Sequence, residues 1–337
     1  MNSSNIFPFV VADIGGTNAR FGLITGAKDS NDRFTIVRQF TYTCSEFSSF
    51  EKVFENYIHT IKNENPRYAC IAIAAPVTSD FIQMTNLNWR FSITDLCKKY
   101  NMDDIHVIND FGALAYSTLY LQEHELKTLN KSSLNNQETT HLSRAIIGPG
   151  TGLGVAGLIK THSNWQPICG EGGHASFTPL DEEQSELRQI LLSRLNTNHL
   201  SIENLISGPG LVNLYDAICT IEGKRPDTLT AAQISKNAKT ETDQYCTKAL
   251  NVFTKVLGAS TGDIALTMGA FGGVYLSGGI LPKIINDLDT DLLIEQFLSK
   301  GIKQDLLKSI PVHIVLAPIP ALAGAGHWMY DQLNSRN

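Results

Sequence analysis

The sequence predicts an α/β protein whose mixed sheets are packed by helices, and three observations carry this. Its N-terminal part runs strand, strand, strand, helix, strand, helix, strand. A glycine-rich turn there joins two apolar segments, and the same strand, Gly-Thr turn, strand pattern recurs near the middle of the chain. The remainder is mainly helical, with short apolar segments of strand character between the helices.

The elements follow in order. Residues 9–12 and 20–24 read as strands around a tight turn, and 34–41 as a third strand. Residues 47–61 predict a helix, with Phe47, Phe50, Val53, Phe54, Tyr57, Ile58 and Ile61 on one stripe. The apolar run 69–75, ended by Pro76, reads as a buried strand. Residues 106–108 read as another, leading directly into Asn109 and Asp110. The polar stretch 130–143 predicts a surface loop. Residues 144–148 then enter GPGTGLG, and 155–159 leave it; beside VVADIGGTNARFGLI the match is short and takes a one-residue gap. Further on, 181–195 predicts a helix with a capping box at Asp181 and Gln184. Tyr245, Ala249, Val252, Phe253, Val256 and Leu257 mark a longer helix. Strands are expected at 273–277 and 312–317, and a closing helix at 321–333.

Composition narrows the class of function. The chain has 337 residues, 42% hydrophobic and 18% charged, as in a soluble globular protein with ample core. A net charge of -6 argues against nucleic-acid or anionic-membrane partners, though a nucleotide remains compatible with it. Cys44, Cys70, Cys97, Cys169, Cys219 and Cys246 are scattered without a C-x-x-C pair. They read as free thiols in a reducing compartment, not as a disulfide framework or zinc site. The first apolar stretch meets Asp13 too soon for a signal peptide, and no apolar run approaches the ~18 residues of a membrane span. A cytoplasmic protein is expected.

Four segments carry candidate chemistry. In Asp13-Ile14-Gly15-Gly16-Thr17-Asn18, glycines allow positive φ and close approach, and successive N–H groups can cradle phosphate oxygens. Thr17 and Asn18 add donors, and Asp13 at a strand end could hold Mg2+ through water. A plain hairpin turn is the alternative. Residues 148–154 contain Gly148, Gly150, Gly152 and Gly154 around Thr151, a density that folding alone explains poorly. GLGVAG within this region fits G-x-G-x-x-G, but a strand-like segment follows where a dinucleotide fingerprint needs a helix. No G-x-x-x-x-G-K-[ST] is present either.

Asp110-Phe111-Gly112 spells the protein-kinase DFG without that family's V-A-I-K or H-R-D partners, so the spelling carries no weight. What matters is that Asp110 stands where a buried strand gives way to a helix, where ligands bind in open α/β sheets. An ionised carboxylate there can accept a proton from an attacking hydroxyl; it reads equally as a helix N-cap. Glu171 and His174, held among glycines in GEGGH, suit hydroxyl recognition, and no second His or Cys stands at metal-ligand spacing. Glu203, after Ser201, reads as an acid at a helix start. Gly278 and Gly279 end the strand in GGVYLSGG and suit either an adenine-ribose site or close packing.

Together these residues resemble the bacterial glucokinase family, in the actin-like fold shared by sugar kinases, actin and chaperone ATPases. DIGGTNAR, AIAAPV, MTNLNW, VIND, GPGTGLG, GEGGH, SGPGLVNLYDAI and GGVYLSGGILP stand in family order over almost the whole chain. The resemblance implies a two-domain, ribonuclease H-like fold with a mixed sheet in each domain and a cleft between them. Residues 1–120 plus 318–337 would form the smaller α/β domain and 121–317 the larger. It implies that Asn109 and Asp110 bind a sugar, with Asp110 as base, and that Glu171, His174 and Glu203 hold sugar hydroxyls. Asp13, Gly15, Gly16, Thr17, Asn18, Gly150, Thr151 and Gly152 would hold ATP phosphates, with Gly278 and Gly279 on the nucleotide side.

The expected activity is Mg2+-dependent phosphorylation of glucose at its C6 hydroxyl by ATP, in a homodimer. The zinc-binding cysteines of the related repressor-kinase (ROK) group are absent after GEGGH, where FTPLDEEQ stands, and Asp13 falls too early for a preceding DNA-binding segment. Two alternatives stay open at this point, a kinase for another hexose and an actin- or chaperone-like ATP-driven binding protein.

Overall fold

The computed structural model describes residues 6–85, 87–130, 141–162, 164–284 and 287–335, so most of the predicted loop at 130–143 lies outside the described residues. The chain divides into two compact units. The first is Met1–Gln122, Lys160–Cys169 and Ala317–Asn337; the second is Glu123–Ile159 and Gly170–Leu316. Lys160–Cys169 thus departs from the continuous 121–317 domain expected. Its contact with the first unit is tight at Cys169, whose Sγ lies 2.6 Å from where a Cβ on Gly112 would stand.

The first unit opens with β1 (Phe9–Ile14), β2 (Asn18–Ile24) and β3 (Ile36–Thr43), an antiparallel meander. Helix α1 (Phe50–Thr60) begins three residues later than the apolar stripe suggests, because the Ser49 side chain caps it by accepting from Lys52 N–H. Phe50, Val53, Phe54 and Tyr57 are buried, and Tyr57 stacks on Phe21 of β2 at 4.8 Å between ring centroids. β4 (Tyr68–Ile73) follows, almost wholly buried, as its unbroken apolar sequence requires.

Two three-residue strands, β5 (Phe81–Gln83) and β6 (Arg90–Ser92), form a small antiparallel ribbon. α2 (Ile93–Tyr100), β7 (Asp104–Asn109) and α3 (Asp110–Ser117) complete the N-terminal run. The sheet order is β3-β2-β1-β4-β7, with β1, β4 and β7 parallel.

The second unit contains β8 (Leu126–Thr128), β9 (Arg144–Pro149) and β10 (Leu153–Lys160), and β11 (Trp165–Gly170) follows in the chain. Next come α4 (Glu182–Arg194), α5 (Gly208–Ile221), α6 (Ala231–Lys239) and the 25-residue α7 (Gln244–Met268). β12 (Val274–Leu276), α8 (Leu281–Ile284), α9 (Thr290–Leu298), α10 (Gln304–Lys308) and β13 (Val312–Val315) end it. The sheet order is β11-β10-β9-β12-β13-β8.

The recurrence in the sequence has a topological counterpart. β9 is antiparallel to β10 across the second Gly-Thr turn and parallel to β12, as β1 is antiparallel to β2 and parallel to β4. The capping box at α4 forms in half: Asp181 accepts from Gln184 N–H at 2.8 Å, but the Gln184 side chain reaches past Asp181 to Leu180 N–H at 3.0 Å.

The chain returns to the first unit with α11 (Pro320–Ser335), which packs along α3. Gly324 makes this approach possible, since a Cβ there would overlap the Ala113 carbonyl oxygen. In an open helix, Gly→Ala stabilises by up to about 1 kcal/mol. Here Gly324→Ala is expected to destabilise by about 2 kcal/mol through overpacking, read as a lowered urea midpoint. A gain in stability would show that α3 and α11 have room for a methyl group.

Candidate active site

In the first unit the register aligns three parallel strands at one end. Ile14 pairs with Ile73, and Ile73 with Asn109, so Gly15, Ala74 and Asp110 leave the sheet along the same edge. This is the carboxyl edge at which open α/β sheets place ligands. The turn from Ile14 to Asn18 is closed by Gly15 N–H donating to Asn18 O at 3.0 Å and steadied by Cys44 N–H donating to Thr17 O at 2.8 Å. Gly16 and Thr17 are exposed.

Asp13 is largely buried and pairs with Arg20, its direct cross-strand neighbour, at 3.1 Å. Burial pushes its carboxyl above the usual range, and the Arg20 guanidinium opposes that shift. Arg20 was not among the expected site residues, although the register of a tight hairpin in DIGGTNAR places it opposite Asp13.

Asn109 and Asp110 separate into two roles. The helix cap is Asn109, whose Oδ1 accepts from Phe111 N–H at 3.0 Å and Gly112 N–H at 3.2 Å. Its Nδ2 donates to Ala75 O at 3.4 Å, which ties the end of β7 to the loop after β4. Asp110 is the first helical residue, half-buried, with Oδ1 accepting from Phe111 N–H at 2.9 Å. The N-cap reading of Asp110 is therefore corrected, because Asn109 already occupies that position. Cys169 is an exposed residue whose Sγ stands beside the start of α3, and local desolvation of that sulfur together with the Asp110 carboxylate pushes its thiol up to about 11.

The second unit builds its turn from three glycine segments. Gly150 N–H donates to Gly152 O at 2.7 Å, Gly208 N–H to Gly150 O at 2.9 Å, and Ile280 N–H to Pro149 O at 3.3 Å. Gly278 and Gly279 are thereby brought beside Gly150. Gly15, Gly150 and Gly152 do not take positive φ; close approach is what Gly152 supplies, since a Cβ there would stand 2.5 Å from Glu203 Oε2, whereas Gly15 and Gly150 have ordinary room for one. Thr151 and Gly279 are exposed.

Glu171 and His174 are exposed on the short 3-10 turn around Gly172–His174, and His199 Nε2 bonds the His174 carbonyl at 3.0 Å. Glu203 lies in the first turn of another 3-10 segment, Ile202–Asn204, capped by Ser201. The Glu203 side chain does something the sequence did not signal: Oε2 accepts from Leu153 N–H at 2.7 Å, at the end of the second turn. Among the described residues, no group of three or more His, Cys, Asp or Glu is placed to hold a metal ion, and no helix is long and apolar enough to cross a membrane.

Two α/β units, each built on an antiparallel hairpin with a Gly-Thr turn and a parallel strand beside it, define the actin-like ATPase fold to which sugar kinases belong. The chain belongs to the glucokinase family, whose model matches residues 10–332. It is 39% identical to the glucokinase of Saccharophagus degradans over 328 residues, 97% of this chain and 99% of that one. Identity to the glucokinase of Photorhabdus laumondii is 36% over 326 residues, 96% and 98% of the two chains. Among solved structures, a glucokinase from an Antarctic psychrotroph superposes with a TM-score of 0.85 at 34% identity, covering 96% of this chain and 99% of that one. A ROK family glucokinase from Streptomyces griseus, in complex with glucose and AMPPNP, has a TM-score of 0.62 at 17% identity. It covers 95% of this chain and 98% of its own, and at that identity it speaks for the fold alone.

Proposed function

We propose that this enzyme transfers the γ-phosphoryl group of ATP to the C6 hydroxyl of glucose, giving glucose 6-phosphate and ADP. The observation that carries the reading is Asp110 at the carboxyl edge of β7, at the start of a helix capped independently by Asn109, in a chain that matches the glucokinase family over 10–332. In this reading the Asp110 carboxylate takes the hydroxyl proton as O6 attacks the γ-phosphorus, and the bond to the ADP oxygen breaks. Asn109, Glu171, His174 and Glu203 hold the sugar. Residues 13–18 and 148–154 supply N–H groups and hydroxyls to the phosphates, and Gly278 and Gly279 stand on the nucleotide side.

A nucleotide-borne Mg2+ fits these residues, because such an ion takes one or two carboxylates, waters and phosphate oxygens in place of an all-protein cage. Asp13 is the carboxylate beside the first turn that would hold it through water. When bound, the ion neutralises phosphate charge. The enzyme is taken as cytoplasmic, which six unbridged cysteines support, and as a homodimer on the family likeness.

The test is ADP release from Mg-ATP with glucose, mannose, N-acetylglucosamine or no sugar. Release that depends on sugar and is fastest per KM with glucose is expected. Equal hydrolysis without sugar would replace the kinase with an ATP-driven machine, and a preference for another sugar would replace the substrate.

A further inference from the structure

We propose that Glu203 is the positioning residue of the second glycine-rich turn, bracing it for nucleotide independently of any sugar. The inference rests on reading 148–154 as a phosphate turn, and adds to the hydroxyl contact already assigned to this side chain. Three observations converge on the brace.

The first is the 2.7 Å bond from Leu153 N–H to Glu203 Oε2, a charge-assisted bond to the backbone where the turn becomes β10. The second is the fit at Gly152, where a Cβ would stand 2.5 Å from Oε2 and 3.2 Å from the carboxyl carbon. The carboxylate therefore sits against the turn at Gly152 with Oε2 foremost, in space that any side chain at 152 would fill. The third is that Glu203 is itself fixed at its backbone. Asn204 Oδ1 accepts from Ser201 N–H and Oγ–H, both at 2.9 Å, and Ser207 Oγ–H donates to Glu203 O at 2.7 Å.

Ser207 also caps α5 by accepting from Gly210 N–H at 3.0 Å, and Gly208 N–H holds Gly150 O at 2.9 Å. The segment 201–210 thus grips both ends of the turn, Gly150 through backbone and Leu153 through the Glu203 side chain. Between these grips lie Thr151 and Gly152, the residues assigned to phosphate. Glu203 Oε1 takes no hydrogen bond among the described residues, which leaves an acceptor for a ligand hydroxyl without releasing the brace.

The experiment measures AMPPNP binding with Mg2+ and no sugar by titration calorimetry, so that a sugar contact cannot contribute. Glu203→Ala is expected to weaken binding about tenfold, and Glu203→Gln, whose amide oxygen still accepts from Leu153 N–H, to stay within about threefold. A folded Glu203→Ala chain that binds AMPPNP like wild type overturns the brace, as does equal loss in the Ala and Gln variants. If melting shows Glu203→Ala unfolded, Glu203→Asp takes its place, one methylene too short to reach; equal affinity of the Asp and Gln variants then overturns the proposal. Failure of the underlying reading is separate: a wild-type chain that binds no AMPPNP removes the phosphate turn itself.

Discussion

Asp110→Asn is expected to lower kcat for glucose phosphorylation by about 10²- to 10⁴-fold, the range lost when a positioned general base is removed. The substitution is close to isosteric and leaves the α3 cap intact, because Asn109 and not Asp110 accepts from Gly112 N–H. An acid in the first helical turn contributes about 0.3–1 kcal/mol through the helix dipole, so the melting temperature is expected to fall by no more than a few degrees. The amide oxygen can still accept from Phe111 N–H, which preserves the rotamer while removing basicity. Substrate KM is accordingly expected to change much less than kcat. The measurement is kcat and KM for glucose alongside a thermal melt. A folded variant with near-normal kcat would remove Asp110 from the mechanism.

The residues that the sequence exposed are those whose chemistry depends on chain neighbours. An apolar run ending at Asn109-Asp110 tells where a buried strand stops, and a strand stop is where a carboxylate becomes available. The Gly-Thr turns were visible for a similar reason, since each lies between two segments of strand character. β5, β6 and β8 were not legible, being three residues each with polar or exposed positions, whereas the equally short β12 is wholly apolar and buried and was read from that. β11 was hidden differently: its residues are mostly exposed, so it carries no apolar alternation.

Glu203 entered the site only through the family resemblance, and its contact with the second turn was missed because the partner is distant in sequence. Glu203 and Leu153 are 50 residues apart, and the acid's local context at a helix start already accounts for its identity. Arg20 was recoverable, since a two-strand hairpin with its turn at 15–18 pairs Ile14 with Ala19 and so fixes Asp13 opposite Arg20. The assignment of Lys160–Cys169 was beyond reach because the fit of the Cys169 sulfur against Gly112 joins residues distant in sequence, which no periodicity reports.

Asp13→Asn is expected to separate activity from stability, lowering kcat/KM for Mg-ATP by about 100-fold while leaving the fold as stable as wild type or more so. Burial raises the Asp13 carboxyl above its ordinary 3.8, with the Arg20 pair only partly offsetting it. A carboxyl that binds its proton more tightly in the folded chain contributes stability below its unfolded pKa. That contribution is lost as pH rises through the window above 3.8 toward the raised value. At neutral pH the ionised Asp13 is therefore a cost to folding, and neutral Asn removes it. Arg20, whose side chain is 42% exposed, keeps its hydration when its partner is lost, so little is given back. The advantage of the Asn variant in melting temperature is expected to be small near pH 4 and larger at pH 7. A constant difference between those two pH values would show that Asp13 ionisation does not oppose folding. Undiminished kcat/KM at limiting Mg2+ would show that the carboxylate is not what the nucleotide's cation requires. On the proposed reading, a charge kept beside the first turn against its own desolvation serves the nucleotide's cation, and the two measurements together decide whether that reading stands.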